Sequence, residues 1–93
     1  AEALAVELNL REINFERQVC ISVSYKDHPV GEGRIDLLVD GKLVVELKAV
    51  EALAAIHTAQ VLSYLKTTGH KLGILINFNV PLLRDGVKRV IRS

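Results

Sequence analysis

Residues 34–50 read RIDLLVDGKLVVELKAV, two β-rich runs around Asp40-Gly41. In the first run Ile35, Leu37 and Val39 alternate with Arg34, Asp36 and Leu38; in the second Leu43, Val45 and Leu47 alternate with Val44, Glu46 and Lys48. Asp-Gly between such runs is a strong hairpin signal. If the two apolar triplets face one core, opposed residue numbers sum to an even value, as in the register that sets Leu37 opposite Val45 and Asp36 opposite Glu46. A two-residue loop slips this pairing by one position and throws one triplet to the other face. The pattern therefore predicts a loop of about three residues, with Gly41 in a left-handed bulge position. It also sets Asp36, Glu46 and Lys48 side by side on the face opposite the triplets. Two carboxylates and an ammonium in an aliphatic sheet are costly unless compensated. A hard divalent cation such as Mg²⁺ compensates them, because it suits carboxylate oxygens, keeps several waters and accepts phosphate oxygens. A cross-strand salt bridge of Lys48 with both carboxylates on a solvated face does so without an ion.

Outward from the hairpin, residues 1–12 (AEALAVELNLRE) place Leu4 and Leu8 at helical spacing and predict a first helix. Arg17 to Tyr25 alternates strictly, with Val19, Ile21, Val23 and Tyr25 on one side and Gln18, Cys20, Ser22 and Ser24 on the other, the period of a half-buried strand. KDHPVGEG (26–33) has the composition of a loop. ALAAIHTAQVLSYLKT (52–67) contains no breaker and stops before Thr68-Gly69, which predicts a second helix. KLGILINF (71–78) is nearly continuously apolar and reads as a buried strand, and a turn at Asp85-Gly86 leads into a short basic strand or helix. The order is α-β-β-β-α-β, a mixed four-stranded sheet flanked by helices.

Ninety-three residues make one small domain. Aromatics are scarce at 4%, with no Trp, so the core is aliphatic and recognition by rows of stacking aromatics is disfavoured. Cys20 is alone, which excludes an internal disulfide or a four-Cys zinc site and fits a reducing, cytoplasmic compartment. No apolar run approaches the roughly 18 residues of a membrane helix, and no signal peptide is evident. Net charge is +1, unevenly spread: residues 1–59 carry six Lys/Arg against ten Asp/Glu, residues 60–93 six against Asp85 alone. Arg84, Lys88, Arg89 and Arg92 can contact phosphates, or form a solvated edge that resists aggregation. The chain begins at Ala1 and has no Met, so a fragment or processed chain is expected.

Asp36, Glu46 and Lys48 on a hairpin in this element order resemble the PD-(D/E)XK nuclease superfamily. The runs GEGRIDLLV, VVELKAVEAL, AQVLSYLKTTG, LGILINFNVP and RDGVKRVI are similar to the GxxExxY group of small bacterial members, over essentially the whole chain. The GxxExxY signature itself would precede Ala1, so any carboxylate it contributes is absent. The resemblance implies a restriction-endonuclease-like core over residues 1–93, truncated in front, and a Mg²⁺-dependent DNA endonuclease in which Mn²⁺ can substitute. It implies that Asp36 and Glu46 hold the metal, that the Leu47 carbonyl adds a third ligand, and that Lys48 is the catalytic lysine. Gln60 and Tyr64 match the group's Gln-x-x-x-Tyr, which implies that Gln60 positions water or phosphate in catalysis and that Tyr64 contacts the nucleic acid; helix capping or sheet packing is the alternative for the pair. Glu7 matches a first-helix Glu that approaches the metal, or is a plain surface carboxylate. His57 lies one turn before Gln60 and reads more readily as structural than as a ligand, while Arg17 and Gln18 match the pattern with no role attached. A homodimer or partner is the expected source of specificity. The reading from a different class is a non-catalytic nucleic-acid-binding or protein-interaction module that keeps the fold.

Overall fold

The hairpin turns where the alternation requires it. In the computed structural model, which describes residues 2–26 and 28–93, Leu37 pairs with Val45, Leu38 with Val44 and Val39 with Leu43. Asp40, Gly41 and Lys42 make the three-residue loop, closed by the Lys42 N–H donating to the Val39 carbonyl at 3.0 Å. Gly41 has φ 65° and Asp40 φ 53°, so both occupy the left-handed region that Gly and Asp tolerate best.

The elements run α1 (Glu2–Leu10), β1 (Phe15–Tyr25), β2 (His28–Val39), β3 (Leu43–Lys48), α2 (Ala55–Thr68), β4 (Leu72–Asn77), a 3-10 turn (Leu83–Gly86) and β5 (Val87–Ile91). They build one sheet in the order β1-β2-β3-β4-β5, with β3 and β4 parallel and the other neighbours antiparallel. The sheet thus has five strands, one more than the sequence pattern predicts, because the basic run after Asp85-Gly86 pairs with β4. KDHPVGEG is no loop either. His28 and Pro29, and then Gly31 to Gly33, pair with β1, with a shift of register between Val23 and Ser24. Ala1 and Asp27, which fall in the expected first helix and in this segment, lie outside the described residues.

Helix α2 covers one face of the sheet. Beneath it Ile35, Val44, Val61, Tyr64, Leu65, Leu75 and Val90 form the core, flanked by Val19, Ile21, Leu38, Leu53 and Leu62. Each fully buried aliphatic side chain there contributes roughly 1.5–3 kcal/mol. Gly73 lets the helix approach: a Cβ at that position would sit 2.5 Å from Val61 Cγ1 and 3.4 Å from the Val44 carbonyl. Gly73→Ala is therefore expected to destabilise the fold by about 1–3 kcal/mol, the cost of overpacking a tight contact. Denaturant unfolding checks this, and an unchanged midpoint would contradict the helix position.

The membership of this core shows where strict alternation fails. Ile35 and Val44 both lie under α2, although the register on either side would place them on opposite faces. The ladder between β1 and β2 skips the Gln18/Asp36 position, and Gln18 has φ 56° within a strand. Across this break the residues packed in the α2 cluster change parity, Val19 and Ile35 on one side of it and Leu38 and Val44 on the other. Leu37 and Val45 are buried outside the α2 cluster. The apolar triplets thus do not share a single core face, and the face carrying Val44, Glu46 and Lys48 is the one that α2 covers.

Candidate functional site

Asp36 sits at the break in the β1–β2 ladder, where the β2–β3 ladder gives way to side-chain bonds. The Asp36 N–H donates to Glu46 Oε1 at 3.1 Å, and the Leu47 N–H donates to Asp36 Oδ2 at 2.8 Å. Each carboxylate therefore replaces a backbone acceptor of the opposite strand, and the two are locked beside each other. The N–H and C=O of one strand residue point to the same side, so the Leu47 carbonyl is directed toward the β2 side as well. The next residue alternates, and the Lys48 carbonyl accepts the Phe78 N–H at 2.9 Å on the β4 side.

The parallel register puts Glu46 beside Leu75 and Lys48 beside Asn77, on the α2-covered face. Glu46 is 2% exposed, not solvated as a salt-bridge reading would have it. Burial lifts its carboxyl from the usual 4.5 to about 7, and the neighbouring Asp36 carboxylate adds to the rise; the Asp36 N–H and the Lys48 ammonium pull the other way. The Lys48 ammonium is in an ion pair with neither carboxylate. Its Nζ donates to Gln60 Oε1 at 2.8 Å, and Gln60 Nε2 donates to the Tyr64 hydroxyl at 3.2 Å. Gly33 makes room for that tyrosine, since a Cβ there would lie 2.6 Å from its ring. A chain of three side chains thus fixes the lysine from the helix.

The site occupies the carboxyl ends of the parallel strands β3 and β4, the end at which α2 begins, a common location for ligands in sheets with crossover helices. His57 serves the helix start: its Nδ1 accepts the Ala54 N–H at 2.9 Å, so this ring nitrogen is committed to capping. Among the described residues no three His, Cys, Asp or Glu side chains gather into one group. Glu7 stays apart, with its exposed carboxylate bound to Arg11 at 2.8 Å. Cys20 is exposed on β1.

The basic tail divides. Lys88 pairs with Leu75, which pairs with Glu46, so Lys88 stands in the same row and on the same face as the site. Arg84 lies in the 3-10 turn at the same end of the sheet. Arg89 alternates to the opposite face, and Arg92 is engaged elsewhere, donating to the carbonyls of His70 at 2.9 Å and Gly69 at 3.0 Å at the end of α2. The four cations do not form one surface.

One residue escaped sequence reasoning. Asn77, 2% exposed, accepts the Val50 N–H at 3.1 Å and donates to the Val50 carbonyl at 2.9 Å. Its signal was a polar residue closing an otherwise apolar strand.

The buried carboxyl has a consequence for stability. The folded chain holds the Glu46 proton up to about 7, whereas the unfolded chain releases it near 4.5, so the metal-free protein loses stability as pH rises through that window and is level above it. Glu46→Gln keeps the acceptor for the Asp36 N–H and removes the charge. It is expected to be more stable than wild type above pH 7 by about 1–2 kcal/mol, after allowing for solvent screening beside half-buried Asp36, and to match it near pH 4. Chemical denaturation across pH measures this; equal pH profiles would refute the burial argument.

The family model for the PD-(D/E)XK nuclease superfamily matches residues 1–90. Among solved structures, LHK-Exo in complex with dAMP is similar, with a TM-score of 0.69 and 14% identity over 99% of this chain and 53% of that one. The alkaline exonuclease LHK-Exo from Laribacter hongkongensis is similar in another crystal structure, with a TM-score of 0.60 and 15% identity over 99% and 54%. The chain therefore spans about half the length of the structures it matches. No curated protein matches the sequence.

Proposed function

Since the chain belongs to the PD-(D/E)XK nuclease superfamily, we propose that it is a Mg²⁺-dependent nuclease, with Mn²⁺ as a substitute, that hydrolyses DNA phosphodiester bonds. Nucleases of this superfamily generally use divalent metal ions. The observation that carries the proposal is the locked Asp36–Glu46 pair with Lys48 held alongside by Gln60. Two adjoining carboxylates, one of them pushed up to about 7 by burial and by its neighbour's charge, and a carbonyl on the β2 side of β3 form an all-oxygen set. That set is small enough to leave positions for water and phosphate, which fits Mg²⁺. Asp36, Glu46 and the Leu47 carbonyl would hold the ion, which would supply an acidified water and neutralise phosphate charge.

The remaining work falls to the chain. Asp36 and Glu46, fixed by backbone N–H groups, present their oxygens without reorganisation. Lys48 offers a fixed ammonium to the attacking water or to a phosphate oxygen, and its direction is set by Gln60, itself oriented by Tyr64. Glu46 releases its proton near neutral pH, so its readiness to bind a cation rises through that range. Residues 1–93 act as one nuclease-like domain of the GxxExxY type, working in the cytoplasm, with a second copy or a partner adding specificity.

Incubation with single-stranded, double-stranded and branched DNA under Mg²⁺, Mn²⁺ or EDTA tests the reading: cleavage with either metal and none with EDTA is the expected result. Binding without cleavage would favour the non-catalytic module. Of the four tail cations, Lys88 and Arg84 are the ones expected to contact phosphates. Neutralising both should lower the log-log salt slope of DNA affinity by about two units, and neutralising Arg89 should leave it unchanged. A slope insensitive to Lys88 and Arg84 would rule out this path for the nucleic acid.

A further inference from the structure

We propose that Asn77 is a positioning residue that holds Lys48 toward Gln60 by fixing the backbone of Val50; the proposal rests on the reading of Lys48 given above. The last backbone bond between β3 and β4 runs from the Phe78 N–H to the Lys48 carbonyl at 2.9 Å. Beyond it β3 has no ladder, yet the chain must turn within residues 49–54 to start α2, which carries Gln60. Asn77 extends the ladder with its side chain. Its amide takes the Val50 N–H on Oδ1 and gives Nδ2–H to the Val50 carbonyl, pairing as a peptide group would.

The orientation of this amide is settled by its partners, because only the oxygen can accept two N–H groups, from Val50 and from Asn79 at 3.1 Å. Asn79 Nδ2 donates to the same Val50 carbonyl at 3.2 Å. Asn77 is itself held from behind by the 3-10 turn. Gly86 lies so close that a Cβ there would be 2.1 Å from the Asn77 carbonyl oxygen. A buried amide clamped on one side and bonded both ways to the residue two beyond Lys48 fixes the end of β3 and the start of the crossover together. Lys48 and Gln60 come from those two segments, so their bond at 2.8 Å depends on this clamp.

The test reads Lys48 directly by NMR of its Cε and Nζ groups in the whole chain, with Gln60→Ala as the reference for a lysine that has lost its partner. In Asn77→Ala the Lys48 signals should move toward the Gln60→Ala positions. On DNA, kcat should fall by several-fold, up to the roughly tenfold loss expected of Gln60→Ala, with KM within about threefold, since Asn77 acts through the Lys48–Gln60 bond. Asn77→Ser, which leaves a hydroxyl in place of the amide, gives the same test should Asn77→Ala fail to fold. A folded variant whose Lys48 signals coincide with wild type overturns the proposal, even if it melts earlier. If the wild type cleaves no DNA, the nuclease reading fails while the Lys48 signals still decide whether Asn77 positions it.

Discussion

Asp36→Asn and Glu46→Gln are each expected to abolish divalent-metal-dependent cleavage, lowering the rate by about 10³-fold or more, while the fold survives. Each amide keeps the shape and the acceptor oxygen of the carboxylate, so the Leu47 N–H and the Asp36 N–H retain their partners. What disappears is the negative charge that holds the ion, and fixed charge at the reacting phosphate is commonly the largest single contribution to such catalysis. Alanine is the poorer probe here. It strands a part-buried backbone N–H at a cost of about 1–3 kcal/mol and confuses lost chemistry with lost stability. Rates are measured with Mg²⁺ and Mn²⁺ alongside circular dichroism of each variant. Turnover within tenfold of wild type in either variant would remove that residue from the metal site.

Lys48→Ala separates charge delivery from metal binding. The ammonium touches neither carboxylate and is bound to Gln60, so its loss should leave metal affinity in place while kcat falls by about 10²–10³-fold, as when one donor to developing negative charge is removed. Gln60→Ala leaves the ammonium present but undirected and should cost less, about tenfold. The double variant should be no slower than Lys48→Ala alone, since Gln60 acts through the lysine. Calorimetric titration with Mg²⁺ and single-turnover kinetics give the two quantities. If Lys48→Ala loses metal affinity and keeps its rate when metal is saturating, the lysine supports the ion and has no part in the chemistry.

Much of this site was legible because alternation and turn chemistry hold within the hairpin from Leu37 to Val45. The pairing of Leu37 with Val45, the three-residue loop and the adjacency of Asp36 and Glu46 follow from the 34–50 pattern alone. The Gln60–Tyr64 bond follows from helical spacing. The side of the sheet was not legible in the same way. The residues packed under α2 change parity across the unpaired Gln18/Asp36 position, and period-two reasoning assumes that no such break occurs. The division of the tail was not legible for a related reason. Arg84, Lys88, Arg89 and Arg92 are close in sequence, but a strand alternates its faces and the last arginine reaches back to the end of α2. Asn77 showed in the sequence only as a polar residue closing an apolar strand, because its importance lies in a bond to Val50, 27 residues away in the chain.

The claim on which the account turns is that Asp36 and Glu46 together hold a divalent cation, and the titration of the Glu46 side-chain carboxyl followed by ¹³C NMR tests it most directly. Without metal it should titrate near 7, since burial holds the proton there. With Mg²⁺ the midpoint should fall by a unit or more, because a bound cation favours the charged form, and in Asp36→Asn the fall should vanish. A Glu46 midpoint that stays near 7 at saturating Mg²⁺ would contradict the account.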